Sequence, residues 1–373
     1  MTADEARKLR AIGDRFRIRI PRYYAELMDR SAKGRDACPI RKQAIPALEE
    51  ADPTLPSWAQ EMSLRTFGRE VPWLDDAIGD LAKLAAPRLT HRYENRAILH
   101  LSSLCALYCR FCFRKTHLND AGRALYGGAL DPAIDYLRAH GEIRELVLTG
   151  GDPLSVSDAV LARLFERLSA VAHLKAVRIH TRMPATLPSR LTDALARMLT
   201  AQPFQVALVA HFNHPKELTA VALAALRSFR AKGIPLFNQS VLLRGINDSA
   251  EVLAVLFQGL YENGVKPTYL HHPDWTPGTF HFRVPIEHGR AIVRALSGRV
   301  SGPALPHYVL DLPGGGGKVL LMDTERVLIL ESCTADGIAG SIYRIVASPE
   351  TRSASREARY ADFSPVDASF CNE

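Results

Sequence analysis

Between residues 97 and 271, short apolar or β-branched runs alternate with helical patterns, and this alternation limits the fold more than any other feature of the chain. The runs fall at 97–101, 145–149, 176–180, 204–210, 234–240 and 267–271. Between them, residues 157–169 put Val160, Leu161, Leu164, Phe165 and Leu168 on one helical face, with Ser157 or Asp158 available as N-cap. The pattern at 216–232 ends at Gly233, a residue type that tolerates the left-handed backbone after a helix. Repeated strand–helix units imply a parallel sheet with right-handed crossovers. Six of them fit an open, partial (β/α)6 barrel of the α/β class, with its chemistry on loops at the C-terminal strand ends.

The loop after the first run is Cys105-Ala106-Leu107-Tyr108-Cys109-Arg110-Phe111-Cys112, followed by Phe113 and Arg114. Its cysteines are spaced C-x3-C-x2-C. Thiolates hold iron–sulfur clusters, and three ligands on a four-iron cubane leave one iron open to a small molecule. Cys38, Cys333 and Cys371 lie far from this loop in sequence. A structural zinc would need a second cysteine or histidine pair, which the sequence does not supply.

Six cysteines in 373 residues make no disulfide framework, and a low-potential cluster demands a reducing compartment, so the cytoplasm is expected. The net charge of +7 admits nucleic acid as a partner, but the basic residues read as scattered among acids; no nucleic acid is expected. No apolar run is long enough to span a bilayer, and the N-terminus has no apolar core, so neither membrane nor leader is expected.

Residues 1–90 read as a helical, polar extension, interrupted by Pro46, Pro53, Pro56 and Pro72 and anchored by Trp58 and Trp73, that packs without taking part in chemistry. The barrel is expected over 91–284. A C-terminal segment at 285–346 follows, with a helix at 285–296 and strands at 307–312 and 326–330, and then a loose polar tail at 347–373.

Two glycine-rich turns stand out. Thr149-Gly150-Gly151-Asp152 ends the second run, where bare backbone can approach a ligand and expose N–H groups. Asp311-Leu312-Pro313 leads into four glycines and Lys318. Val319 follows, so this is no phosphate loop of the G-x4-G-K-[ST] kind; a Schiff base with pyridoxal phosphate suits the lysine.

The cysteine loop after a first strand resembles the radical S-adenosylmethionine (SAM) enzymes. Together with Thr90-His91-Arg92-Tyr93-Glu94-Asn95-Arg96, His211-Phe212-Asn213-His214-Pro215 and the Asp311 to Lys318 stretch, it resembles the lysine 2,3-aminomutase family over about residues 85 to 320. The resemblance implies a [4Fe-4S] cluster on Cys105, Cys109 and Cys112, and SAM near Thr149, Gly150, Gly151, Asp152, His211 and Gln239. It implies pyridoxal 5′-phosphate on Lys318, with Arg92 and Arg96 nearby. A 5′-deoxyadenosyl radical would drive a 1,2-amino shift, converting L-lysine to L-β-lysine, with an electron donor such as flavodoxin or ferredoxin.

Arg114 would bind the substrate carboxylate, and Asp274 and Asp311 its distal ammonium. Two acids facing one cation are sensible; without the cation they repel, and one tends to protonate. The family's zinc cysteine is replaced by Ser249, so no zinc is expected and the homo-oligomer of the family is not assured. Phe111 stands where the family often carries histidine. The alternatives are arginine, ornithine or glutamate as substrate, a lysine residue of an elongation factor, or a non-enzymatic iron–sulfur electron-transfer or sensing protein.

Overall fold

The computed structural model describes residues 2–30, 38–51, 76–119, 125–323, 338–346 and 357–365. Trp58, Trp73, Pro53, Pro56, Pro72, Cys333, Cys371 and the strand expected at 326–330 lie outside the described residues. Among the described residues no helix is long and apolar enough to cross a membrane.

Six strands form where the apolar runs lie: β3 (Arg96–Ser102), β4 (Glu145–Gly150), β5 (Ala176–Thr181), β6 (Gln205–His211), β7 (Leu236–Val241) and β8 (Lys266–His271). Each pairs in parallel with the next. A helix follows every one, ending with Ile286–Leu296 after β8, which makes six β/α units. β9 (His307–Leu312) then adds a seventh parallel strand, and β10 (Gly317–Leu320) turns back antiparallel to it. At the other edge β1 (Leu84–Ala86) and β2 (Leu89–Tyr93) run antiparallel into β3. The sheet is an open ten-stranded array in sequence order, a partial barrel.

Local chemistry explains the boundaries. The helix Asp158–Ser169 starts where the Ser157 hydroxyl accepts from the Val160 N–H, and it buries Leu161, Leu164, Phe165 and Leu168. Each of those side chains contributes about 1.5–3 kcal/mol on removal from water. They pack in one core with Leu146 and Leu148 of β4 and Val177 and Ile179 of β5. Ser249 caps the helix Ala250–Glu262 by accepting from the Val252 N–H.

Two stretches differ from expectation. Leu84–Ala86 and the first two residues of Leu89–Tyr93, assigned to a helical extension ending at residue 90, are strand: β1 pairs with β2, and β2 pairs antiparallel with the first barrel strand β3. Within the stretch expected as a loose tail, β12 (Glu357–Pro365) pairs antiparallel with β11 (Ile338–Val346). Buried Tyr360 and Asp362 of β12 both accept from Arg283, and Asp362 also accepts from the Ile286 N–H. Tyr360 stacks on Trp275 at 4.8 Å, beside Asp274. Short-range polarity could not reveal this docking.

Candidate active site

The C-terminal strand ends carry the cysteine loop and the Thr149–Asp152 turn, whereas Arg92 lies within β2 and Arg96 opens β3, at the opposite end of that strand from the cysteines. β3 leads into the cysteine loop, and β4 ends in Gly150, whose φ of +123° excludes an ordinary side chain. A Cβ on Gly150 would lie 2.5 Å from the Ser102 carbonyl, and one on Gly151 2.5 Å from that of Leu104. The two loops are therefore clamped backbone to backbone. Asp152 accepts from the hydroxyl of Thr181 and the N–H groups of Arg182 and Leu154. In this structure its carboxylate secures the loop.

The three cysteine thiols are half-buried, and desolvation is the largest cause raising the pKa of each, taking Cys112 to about 11; Cys109 adds to the rise at Cys105 and Cys112. Ligation must therefore displace their protons. The main opposing group at Cys109 is Arg182, just past β5, whose Nη1 donates to Cys109 Sγ at 2.7 Å. Its Nη2 reaches Glu217 (2.7 Å), Gln43 (2.5 Å) and Tyr24 (3.2 Å). His211 and Gln239 are partners in register on β6 and β7, and the Phe111 ring lies 5.8 Å from that of His211. Burial holds the His211 imidazole neutral. Its Nε2 donates to Asn213 Oδ1 at 3.1 Å, which leaves Nδ1 an acceptor.

A continuous polar chain runs from the cysteines to Lys318. The Arg114 N–H donates to Cys112 Sγ (3.4 Å), while its Nε and Nη2 grip Asp80 Oδ2 (3.0 and 2.6 Å) and Nη1 reaches Thr149 (3.2 Å). Arg92 Nη2 donates to the other Asp80 oxygen at 3.0 Å, and its Nη1 lies 3.9 Å from Asp311. Burial opposes charge on Asp80, but Arg114, with His100 and Arg92, holds its pKa down at about 2. Of the five N–H groups of Arg114, three are engaged by Asp80 and Thr149 among the described residues.

Lys318 stands directly opposite Asp311 across β9 and β10, and its Nζ donates to both carboxylate oxygens at 2.8 and 2.7 Å. The Lys318 N–H donates to the Tyr93 hydroxyl at 2.8 Å, and Arg96 lies 3.8 Å over the Tyr93 ring. His271 Nδ1 adds a contact to Asp311 at 3.2 Å. Burial and the charge of Asp311 push Asp274 up to about 8, whereas Lys318, followed by His271 and Arg92, holds Asp311 low despite its burial. The two acids thus divide, Asp311 favouring its ionised form and Asp274 its protonated one.

A model of the radical SAM superfamily matches residues 99–256. The L-lysine 2,3-aminomutase of Fusobacterium nucleatum is 38% identical, over 82% of this chain and 68% of its own. That of Clostridium subterminale is 36% identical, over 82% and 69%. The Escherichia coli protein of the same name is 35% identical, over 79% and 86%. The chain belongs to the lysine 2,3-aminomutase family. It is therefore a radical SAM enzyme and an isomerase, and the family's [4Fe-4S] cluster and SAM follow from that membership. The donor set fits a cluster: three soft thiols share one loop, with a cationic N–H donor on one sulfur.

Sequence reasoning missed Asp80 and Arg182. Arg182 could have been found by its place at the end of a barrel strand; Asp80 carries no local signal. It also misjudged the extension, since Tyr24, Gln43, Glu50 and Asp80 all reach the site. Glu50, for example, accepts from both Arg110 and Lys115. In the cluster-loaded protein, the Arg182 N–H would favour the extra electron. Arg182→Lys keeps the charge beside Glu217 but loses the fork. We expect the cluster midpoint potential to fall by on the order of 50 mV, a fraction of one charge-assisted hydrogen bond. A redox titration followed by electron paramagnetic resonance checks it, and an unchanged potential would remove Arg182 from that role.

Proposed function

We propose that this chain is a radical SAM, pyridoxal-phosphate-dependent amino acid 2,3-aminomutase acting on L-lysine. The observation that carries the reading is Asp311, which ties Lys318 to the polar chain reaching Cys112 and lies close enough to Asp274 to raise its pKa. The site residues suit pyridoxal phosphate: a lysine amine, with Arg92 and Arg96 for the phosphate. When bound, the cluster and SAM supply a hydrogen-abstracting radical, and pyridoxal phosphate supplies a π-system on the migrating nitrogen.

The chain's own residues do the positioning. Arg114 offers its guanidinium to the α-carboxylate. Asp80 fixes that guanidinium and, through its second oxygen, Arg92. Lys318 is the residue that would hold the pyridoxal phosphate. Once its amine has left Asp311, the paired acids need another cation, which the distal ammonium of lysine provides. Thr149, Gly150 and Gly151 offer backbone and hydroxyl groups to SAM, with His211 Nδ1 and Gln239 on the adjoining strands. The enzyme would work in the cytoplasm with a protein reductant.

Anaerobic incubation of reconstituted, reduced enzyme with SAM, pyridoxal phosphate and L-lysine should yield β-lysine by mass and NMR. Product from arginine, ornithine or glutamate but not lysine would overturn the substrate. No β-amino product from any of them would overturn the reaction.

A further inference from the structure

The expectation of scattered basic residues has one exception. Residues 7–22 contain seven lysine or arginine side chains and a single acid, and from Arg15 to Arg22 every second residue but one is arginine. The helix Ala3–Arg15 ends at Phe16, whose backbone is extended (φ −126°, ψ 121°) and whose ring is buried under Lys115. From there the chain runs along the cysteine loop. The Tyr108 N–H donates to the Arg19 carbonyl (3.3 Å) and Arg110 Nη1 to that of Arg17 (3.1 Å). Arg17 Nη1 donates to the Tyr108 hydroxyl (3.3 Å), and Arg19 Nη1 to the carbonyl of Cys105 itself (3.5 Å).

This edge is also apolar where it meets water. Ile18 is 47% exposed and Leu104, which precedes Cys105, 45% exposed. Of the other large hydrophobics exposed among the described residues, Val221, Val255 and Tyr261 sit on barrel helices and Leu320 on the edge strand β10. Arg15, Arg19 and Arg22 are exposed too, and Arg22 also pairs with Glu26 at 2.8 Å. Apolar side chains rimmed by cations thus flank the backbone of a cluster ligand.

We propose that the Arg15–Arg22 edge, with Ile18 and Leu104, is the docking surface for the protein that delivers the cluster's electron, a small acidic one-electron carrier. The inference rests on the reading of Cys105, Cys109 and Cys112 as cluster ligands. Reduction needs an electron from outside, and tunnelling falls steeply with distance, so a donor must settle beside the ligand loop. Arg19 reaches the Cys105 carbonyl, which brings a partner on this edge next to a ligand. Positive charge steers an acidic carrier to the edge and sets its orientation. Ile18 and Leu104 give the encounter a small dry centre.

The test uses reconstituted holoenzyme and the double variant Ile18→Asp/Arg19→Glu, whose sites are both exposed. Cluster bleaching is followed by stopped-flow absorbance with reduced flavodoxin and, separately, with dithionite. The parent should be reduced by flavodoxin about tenfold or more faster than the variant at low salt, with the advantage shrinking as salt rises. Dithionite should reduce both alike. Equal flavodoxin rates would overturn the proposal. So would slower reduction by both reagents, which would mean that the substitutions act on the cluster. A parent dimer that dissociates in the variant would assign the edge to a second copy of the chain instead. A parent that assembled no cluster absorbance would fail before any donor was added, removing the ligand reading and this surface together.

Discussion

Lys318→Ala is expected to abolish retention of pyridoxal phosphate and reduce amino migration to background, while the cluster still assembles. Lys318 lies on a four-residue strand whose register with β9 sets its amine against Asp311. That strand follows Gly315 and begins at Gly317, with φ of +85° and +81°, so the glycines make the sharp return that an ordinary residue would strain. The alanine variant also removes the closest cation from the buried Asp311. Breaking a buried pair costs about 3–5 kcal/mol when nothing replaces the partner. Here the loss should be smaller, because Lys318 is a third exposed and His271 and Arg92 stay beside Asp311. Lys318→Arg separates chemistry from charge: it should keep the parent's thermal stability and still lose the cofactor. Visible absorbance after desalting, melting temperature and product formation are the readouts. Full cofactor retention in both variants would exclude Lys318 as the attachment point.

Much of this site was legible because its chemistry is local in sequence. The cysteine loop follows an apolar strand, Ser157 precedes an amphipathic helix, and four glycines precede one lysine, so spacing alone marked all three. The opposed behaviour of Asp274 and Asp311 followed from electrostatics once both were assigned to one pocket. Asp80 was invisible for the opposite reason. It acts only because the fold sets it between Arg92 and Arg114, twelve and thirty-four residues away in sequence. Arg182 likewise draws on Tyr24, Gln43 and Glu217, from the N-terminal arm and the turn after β6. Such networks leave no periodicity, and an isolated arginine reads by default as a surface charge. β12 was missed because its polar composition resembles a tail, and its docking depends on Arg283 and Trp275 from another loop.

In the pyridoxal-phosphate-loaded protein, L-lysine binding at neutral pH should release close to one proton more than L-norleucine binding, and Asp274→Asn should remove that difference. Norleucine keeps the α-amino acid end and lacks the distal ammonium, so proton movements at the cofactor cancel between the two ligands. Before substrate arrives, burial first and Asp311 second push Asp274 up to about 8, so its carboxyl is largely protonated at pH 7. Lys318 opposes that shift, and its withdrawal to the cofactor would raise Asp274 further. A lysine ammonium entering between the acids favours the ionised form, and the proton must leave. Calorimetry in buffers of different ionisation enthalpy reads the number directly. The sign carries over to stability. A folded pKa above the unfolded one means that the native state holds a proton the unfolded chain has lost. The Asp274 contribution is thus complete below about pH 4. It declines as pH rises toward about 8, with a slope of at most about 1.4 kcal/mol per pH unit. Asp274→Asn should flatten the fall of melting temperature over that window, while Asp311, held low by Lys318, contributes no slope there. Equal proton release for the two amino acids would mean that the lysine ammonium never reaches Asp274. The preference for a basic amino acid would then need another source.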